Sequence, residues 1–344
     1  MNAPSLRPTL EQLIRGESLS EAAAFDLLQA LTADTLSPAM AGALLTALDI
    51  KGVTADELRG FARGMRALAR KPMLPPTDKA LDVVGTGGDA SHSFNLSTGA
   101  ALLAVAAGAT VVKHGNRSVS SRSGSADLLE QLGLPMPLGI DDAGRCLGLL
   151  GFTFLFAPYY HPAMKAIAPV RQALGIRTVF NLLGPLTNPA EPPYYLVGAF
   201  SRETARLIAE ALAGLPIQRA FVVHGELGWD EPTPASPFIL FDVRDGHVVE
   251  SRRTAADYGL AVCTAEALRG GDAFENARAL RAVFEGVDHG AHRDALLMGA
   301  SLALEVTGRA VDAREGVSLA AAALDNGAAK TLLDRMQRSK ELFA

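Results

Sequence analysis

The chain has 344 residues, 49% hydrophobic, 20% charged and only 6% aromatic, which is long enough for a large Ala/Leu/Val core and more than one domain. A formal net charge of −5 and a pI of about 5.8 exclude the broad basic surface that bulk nucleic-acid binding requires, though not a local basic pocket. The mean hydropathy is +0.18, no apolar run reaches membrane-spanning length, and Met1 to Gly16 lack a signal-peptide pattern. Two distant cysteines, Cys146 and Cys263, fit a reduced, cytoplasmic setting, and the histidines form no i,i+4 ligand pair.

Residues 8 to 70 show helical periodicity and no strand. Ser18-Leu19-Ser20-Glu21 and Thr54-Ala55-Asp56-Glu57 read as helix starts, and Lys71-Pro72-Met73-Leu74-Pro75-Pro76 reads as a hinge or linker. Beyond it the pattern changes. Leu81–Val84 is a short buried strand, a loop runs to Phe94, and a helix spans about Leu96 to Ala107. Thr110-Val111-Val112 is the next strand, leading into a loop over 113–124, with a helix from Ser125 to Leu132. Further strands are expected at 152–156 and 220–223, and a hairpin over 238–249 turning at Arg244-Asp245. Ala-rich helices close the chain near 275–285, 292–307 and 314–326. The alternation means an α/β domain with a mostly parallel sheet.

Gly85-Thr86-Gly87-Gly88-Asp89 follows one strand and opens a helix. Such glycines let the backbone approach a phosphate, and the helix N-terminus adds donors. No Gly-Lys-Ser/Thr closes the loop, so it is not a Walker motif. Gly85, Gly87 and Ala90 fit a dinucleotide fingerprint, but Asp89 would face the pyrophosphate and the next strand ends in Lys113-His114 without a ribose-binding acid. A purely structural glycine turn is the other alternative. Asn95-Leu96-Ser97-Thr98 suits an N-cap, and equally a phosphate contact with a magnesium-ligating hydroxyl.

The loop Lys113-His114-Gly115-Asn116-Arg117-Ser118-Val119-Ser120-Ser121, with Arg122, concentrates cations, hydroxyls and glycine. Lys113, Arg117 and Arg122 suit several phosphate charges. A solvated basic loop does not need so many interleaved Gly, Asn and Ser residues. Asp230-Glu231 lies beyond the strand at 220–223. Alone it reads as a surface acid pair; beside a phosphate site on the same sheet edge it suits magnesium. Arg171 alone suits a salt bridge, and Pro158-Tyr159-Tyr160-His161-Pro162 either walls an aromatic pocket or is an ordinary turn.

Together these segments resemble the anthranilate phosphoribosyltransferase family. The most specific are Gly85–Asp89, Asn95–Thr98, Lys113–Ser121, Gly124-Ser125, Pro169-Val170-Arg171 and the run from Arg177 to Pro189. The resemblance covers the chain from its N-terminal helices to its C-terminal ones. It implies a small all-helical domain, 1–73 completed by about 167–188, hinged to a large α/β domain of 74–166 and 189–344. It also implies a homodimer paired through the small domain, and transfer of phosphoribosyl from phosphoribosyl pyrophosphate to the amine of anthranilate.

Carried over by position, the phosphoribosyl pyrophosphate contacts are Gly85, Gly88, Asp89, Ser93, Asn95, Leu96, Ser97, Thr98, Lys113, His114, Gly115, Asn116, Arg117, Ser118, Val119, Ser120, Ser121 and Ser125. Lys113, Asn116 and Arg117 take the catalytic role. Gly85, Asn116, Pro158, His161 and Arg171 face anthranilate, and Ser97, Asp230 and Glu231 hold Mg2+, two ions per site. Positioning and charge balance outweigh a strong base for an oxocarbenium-like centre, so no essential base is assigned. Three departures from the family pattern stand out: Trp229 with Pro232 and Pro234 around the acid pair, expected to reshape the metal loop; Gly299 in place of Asn; and Ala90 in place of Gly. Competing readings are a same-fold transferase with another aromatic amine, a pyrimidine nucleoside phosphorylase, and a nucleic-acid-binding relative, which the acidic charge opposes.

Overall fold

The computed structural model describes residues 6–343 except 34, 89, 90, 92 and 119–121, so Asp89, Val119, Ser120 and Ser121 lie outside the described residues. Four helices come first: α1 (Arg7–Ile14), α2 (Glu21–Leu31), α3 (Pro38–Lys51) and α4 (Ala55–Leu68). Their starts follow local chemistry. The Ser20 hydroxyl accepts the Ala23 N–H at 3.2 Å, and Thr54 and Glu57 form a reciprocal capping box.

The α/β part then alternates. It runs β1 (Ala80–Gly85), α5 (Leu96–Ala106), β2 (Thr110–Gly115), α6 (Ser125–Gln131), α7 (Ile140–Leu150) and β3 (Phe152–Phe156). Next come α8 (Ala157–Tyr160), α9 (Met164–Leu174) and α10 (Phe180–Leu183), of which α9 packs on α3 and α10 on α4. The chain continues through β4 (Tyr194–Gly198), α11 (Arg202–Ala213), β5 (Arg219–Gly225), β6 (Phe238–Arg244) and β7 (His247–Arg253). It closes with α12 (Ala273–Phe284), α13 (Ala291–Val306), α14 (Ala313–Asp325) and α15 (Ala328–Ser339).

The seven strands form one sheet in the order β3-β2-β1-β4-β5-β6-β7, parallel from β3 to β5 and antiparallel in the last hairpin. That hairpin turns at Asp245 (φ 53°) and Gly246 (φ 76°), two positive φ values that match the twist of the flanking strands. Both faces of the parallel strands are buried. Leu81, Val83, Leu196, Phe221 and Val223 join the core beneath α5–α7 and α12–α15. Val84, Tyr195, Val197, Ala220 and Val222 join the core shared with α11 and the N-terminal helices.

Two differences from the sequence reading matter. The central strand β4 was not anticipated: it is short, follows Pro192-Pro193, and carries no alternation because both faces are covered. The strand expected over 110–112 continues to Gly115, so Lys113 and His114 are strand residues and buried.

Candidate active site

In the parallel part of the sheet, the strand order reverses direction between β1 and β4, the switch point beyond whose C-terminal strand ends α/β sheets place ligands. Gly85 and Gly198 end these two strands as register partners. The segment after β5 folds back across both ends. A Cβ on Gly198 would lie 1.6 Å from the Asp230 carbonyl oxygen, and one on Gly85 would lie 2.5 Å from Asp230 Oδ2. At Gly198 the clash is with backbone, so only hydrogen fits there, whereas at Gly85 the Asp230 carboxylate would have to move; the sequence reading had not singled out Gly198.

Trp229 anchors this segment in the core, with its carbonyl accepting the Gly225 N–H at 2.9 Å. The two acids therefore emerge at the strand ends despite the Trp and Pro neighbours. Asp230 Oδ2 accepts the Gly87 N–H at 2.6 Å, and Glu231 Oε1 accepts the Ser97 N–H at 3.1 Å. Glu231 thus caps α5, whose own Asn95 makes no side-chain cap. A carboxylate at a helix N-terminus is favoured by the dipole and by the unpaired N–H groups there. Gly299 on α13 lies against Ala100 of α5, where a Cβ would meet the Ala100 methyl at 2.7 Å, and it lines the small cavity beside the acid pair.

Lys113 lies beneath the acids, fully buried, with its ammonium donating to the Val83 carbonyl. Burial pushes its pKa down, opposed by the nearby carboxylates of Asp82, Glu231 and Asp230. Burial pushes the Asp82 carboxyl up to about 6 against the pull of Lys113. Asp82 accepts the His114 N–H at 3.1 Å and the Asn188 amide at 2.9 Å. Asn188, also fully buried, donates to the Val112 carbonyl at 2.8 Å and accepts the Ala190 N–H at 2.9 Å, tying the 184–190 segment to β1 and β2.

The His114 ring meets that of His161 edge-on, centroids 5.0 Å apart, and its Nδ1 lies 3.3 Å from the Gly184 carbonyl. Burial lowers His114 to about 3, with the neighbouring His161 adding to the effect, and burial lowers His161 to about 4. Both imidazoles are therefore neutral at pH 7, and His114 is a weak proton acceptor.

In the second loop Asn116 is exposed, with its Oδ1 accepting the Arg117 N–H at 2.7 Å. Arg117 is engaged by Glu130 at 2.5 and 2.6 Å and Asp127 at 2.9 Å, which hold its pKa above the usual arginine range. Its charge is thus largely balanced by α6. The Ser118 N–H donates to Asp127, and Ser125 opens α6 next to Gly115. Ser93 bridges to Arg269, the Leu96 side chain is buried, and the buried Thr98 hydroxyl has no hydrogen-bond partner among the described residues.

Arg171 lies on α9, its guanidinium 5.2 Å from the Phe180 ring centre and its pKa lowered by burial. Pro158 is exposed on α8. Arg177, which the sequence reading placed in a motif without a role, donates to the Gly88 carbonyl at 2.7 Å and lies over Phe200 at 4.1 Å. It links the segment that follows Arg171 to the glycine loop.

The donors gathered here are carboxylate and hydroxyl oxygens, and no group of three or more His, Cys, Asp or Glu side chains is arranged to enclose a metal among the described residues. The Thr98 hydroxyl, one residue beyond Ser97 on α5, is a buried polar atom without a hydrogen-bond partner among the described residues. Such a set fits a hard cation that takes one or two carboxylates and completes its shell from water and substrate oxygens.

Residues 7–69 match the helical bundle domain of a glycosyl transferase family, and residues 77–330 match the a/b domain of the same family. An anthranilate phosphoribosyltransferase of Rubrobacter xylanophilus is 45% identical over 339 residues, 98% of each chain. The crystal structure of anthranilate phosphoribosyltransferase from Thermus thermophilus is 43% identical with a TM-score of 0.90, over 96% of this chain and 99% of that one. The Saccharomyces cerevisiae enzyme, in complex with phosphoribosyl pyrophosphate (PRPP) and Mg, is 27% identical with a TM-score of 0.86, over 98% and 99%. With helical and α/β parts both matched and this identity sustained over nearly its whole length, the chain belongs to the anthranilate phosphoribosyltransferase family of glycosyltransferases.

Proposed function

We propose that the cleft beyond β1, β2 and β4 is where this chain performs its reaction, transfer of the 5-phosphoribosyl group of PRPP to the amine of anthranilate with release of pyrophosphate. The observation that carries this assignment is the setting of Asp230 and Glu231 against the N–H groups of Gly87 and Ser97. It supports a site where anionic oxygens and a cation meet at one sheet edge.

PRPP lies along the loops after β1 and β2, on the backbone of Gly85–Asp89, on Ser93 and Asn95–Thr98, and on Lys113–Ser121 with Ser125. Asp230, Glu231 and the Ser97 hydroxyl hold Mg2+, with two ions per site. Magnesium, when bound, balances diphosphate charge and so improves the leaving group. Lys113, buried against Asp82, offsets the remaining negative charge beneath it. Arg117, held by Glu130 and Asp127, sets the shape of the second loop. Arg171 takes the anthranilate carboxylate, and Gly85, Asn116, Pro158 and His161 wall its path.

The amine attacks C1 of the ribose as the bond to the diphosphate oxygen breaks, and its proton leaves afterwards. The aromatic amine is neutral at pH 7, so orientation and charge balance carry the rate rather than a base. Residues 167–188 complete the small helical domain, a reading supported by the packing of α9 on α3 and α10 on α4. A homodimer forms through this domain, where Ile14 and Ile50 are exposed. A cytoplasmic setting is supported by the two free cysteines, Cys146 and Cys263. The test is loss of anthranilate fluorescence on mixing with PRPP and Mg2+, abolished by EDTA. A folded protein with no turnover at saturating substrates refutes the assignment.

A further inference from the structure

The N-terminal turn of α12 reaches both loops of the donor site from a distant part of the chain. Asn276, 2% exposed, donates its amide to Asn95 Oδ1 at 2.7 Å. The Ser123 hydroxyl donates to the same oxygen at 3.0 Å, and Asn95 Nδ2 donates to the Ser123 carbonyl at 3.1 Å. Asn95 thereby joins the start of α5 to the end of the second loop. The Asn276 amide is itself oriented, because its Oδ1 accepts the Gly271 N–H at 2.7 Å.

Polarity runs one way along this chain of bonds. Turning the Asn95 amide over would set its NH2 against the NH2 of Asn276 and its oxygen against the Ser123 carbonyl. Neighbouring contacts brace the same place. The Phe94 N–H donates to the Leu268 carbonyl at 2.9 Å, and Glu275 lies 3.8 Å from Arg122 of the second loop. A Cβ on Gly270 would lie 2.6 Å from the Ser93 oxygen and 2.7 Å from the Phe94 nitrogen, so the 268–271 segment touches the backbone that leads into α5.

We infer that Asn276 is a positioning residue for PRPP: acting through Asn95 and Ser123, it fixes the spacing of the two donor loops without touching the substrate. The inference rests on the reading of those loops as the PRPP site. It separates donor from acceptor, since the bonds given by Asn276, Asn95 and Ser123 to one another and to Gly271 do not include Arg171.

The test is steady-state kinetics with each substrate varied. Asn276→Ala should raise the PRPP KM about tenfold, the loss of one buried hydrogen bond, and leave the anthranilate KM within about twofold. Asn276→Asp keeps an acceptor for Gly271 but cannot donate to Asn95, so it should match or exceed the alanine effect. Ser123→Ala, a milder change, should also raise the PRPP KM, and the double variant should fall short of the product of the single effects because both act through Asn95. An unchanged PRPP KM in both Asn276→Asp and Ser123→Ala, or equal rises in both substrates' KM, overturns the inference. Lys113→Ala serves as the separate check on the loop reading: if it raises the PRPP KM while the Asn276 and Ser123 variants do not, only the inference fails. If it too leaves the PRPP KM unchanged, the reading of the loops fails.

Discussion

The Asp230 carboxylate accepts the Gly87 backbone N–H at 2.6 Å, so an acid occupies a donor of the glycine loop proposed to receive phosphate. Its charge and its occupancy both oppose a metal-free diphosphate. Without Mg2+ the wild type should therefore bind inorganic pyrophosphate weakly. Asp230→Ala should bind it several-fold more tightly in EDTA, Asp230→Asn less so because the amide oxygen still accepts from Gly87, and both should show a higher PRPP KM in Mg2+. Calorimetric titration with and without EDTA measures this. Metal-free affinity that does not rise in the alanine variant would show that Asp230 does not compete for the loop.

Gly198→Ala tests the crossing of the acid segment over β4. Its methyl group would need the space of the Asp230 carbonyl, 1.6 Å away. The segment must move by more than an ångström, a displacement that costs about a hundredfold in kcat/KM, with roughly 1–3 kcal/mol of stability lost to overpacking. Kinetics and urea melts together decide it, and wild-type kcat/KM in the variant would refute the role given to this glycine.

Arg171→Ala should raise the anthranilate KM by roughly thirtyfold or more, the worth of a charge-assisted hydrogen bond to a carboxylate, and leave the PRPP KM within about twofold. A change confined to PRPP would move Arg171 out of the acceptor site.

The paired imidazoles make stability pH-dependent. An unfolded histidine titrates near 6.5, whereas burial holds His161 at about 4 and His114 at about 3. Their folded pKa values are lowered, so their contribution is fully present above pH 6.5 and is lost as pH falls toward 4. Each should remove about 2 kcal/mol of unfolding free energy between pH 7 and pH 5. His161→Gln should flatten that acid limb by about this amount in urea melts. An unchanged slope would mean that His161 is protonated in the fold.

Much of the proposed site could be nominated from sequence because loops suited to polyanions need unusual residues in dense runs, as in Gly85–Asp89 and Lys113–Ser121. Acids that follow a strand could likewise be read as belonging to the same sheet edge. The missed parts depend on distance along the chain. Gly198 is required only because Asp230 crosses over it, and Asn276 matters only because α12 returns to Asn95. β4 escaped notice because a strand covered on both faces loses the alternation that marks one exposed to water. The pairing of Arg117 with Glu130 and Asp127 likewise needed the turn of α6 to become visible.

The buried Asn188 amide joins Asp82, the Val112 carbonyl and the Ala190 N–H at one point. That knot works as a rivet. The chain coming back from α9 and α10 cannot slide over the sheet without breaking it. The rivet sits one residue before Lys113, on the strand that carries it. A loosened Asn188 would therefore be felt at once by Asp82, the carboxylate whose charge faces the buried Lys113 ammonium.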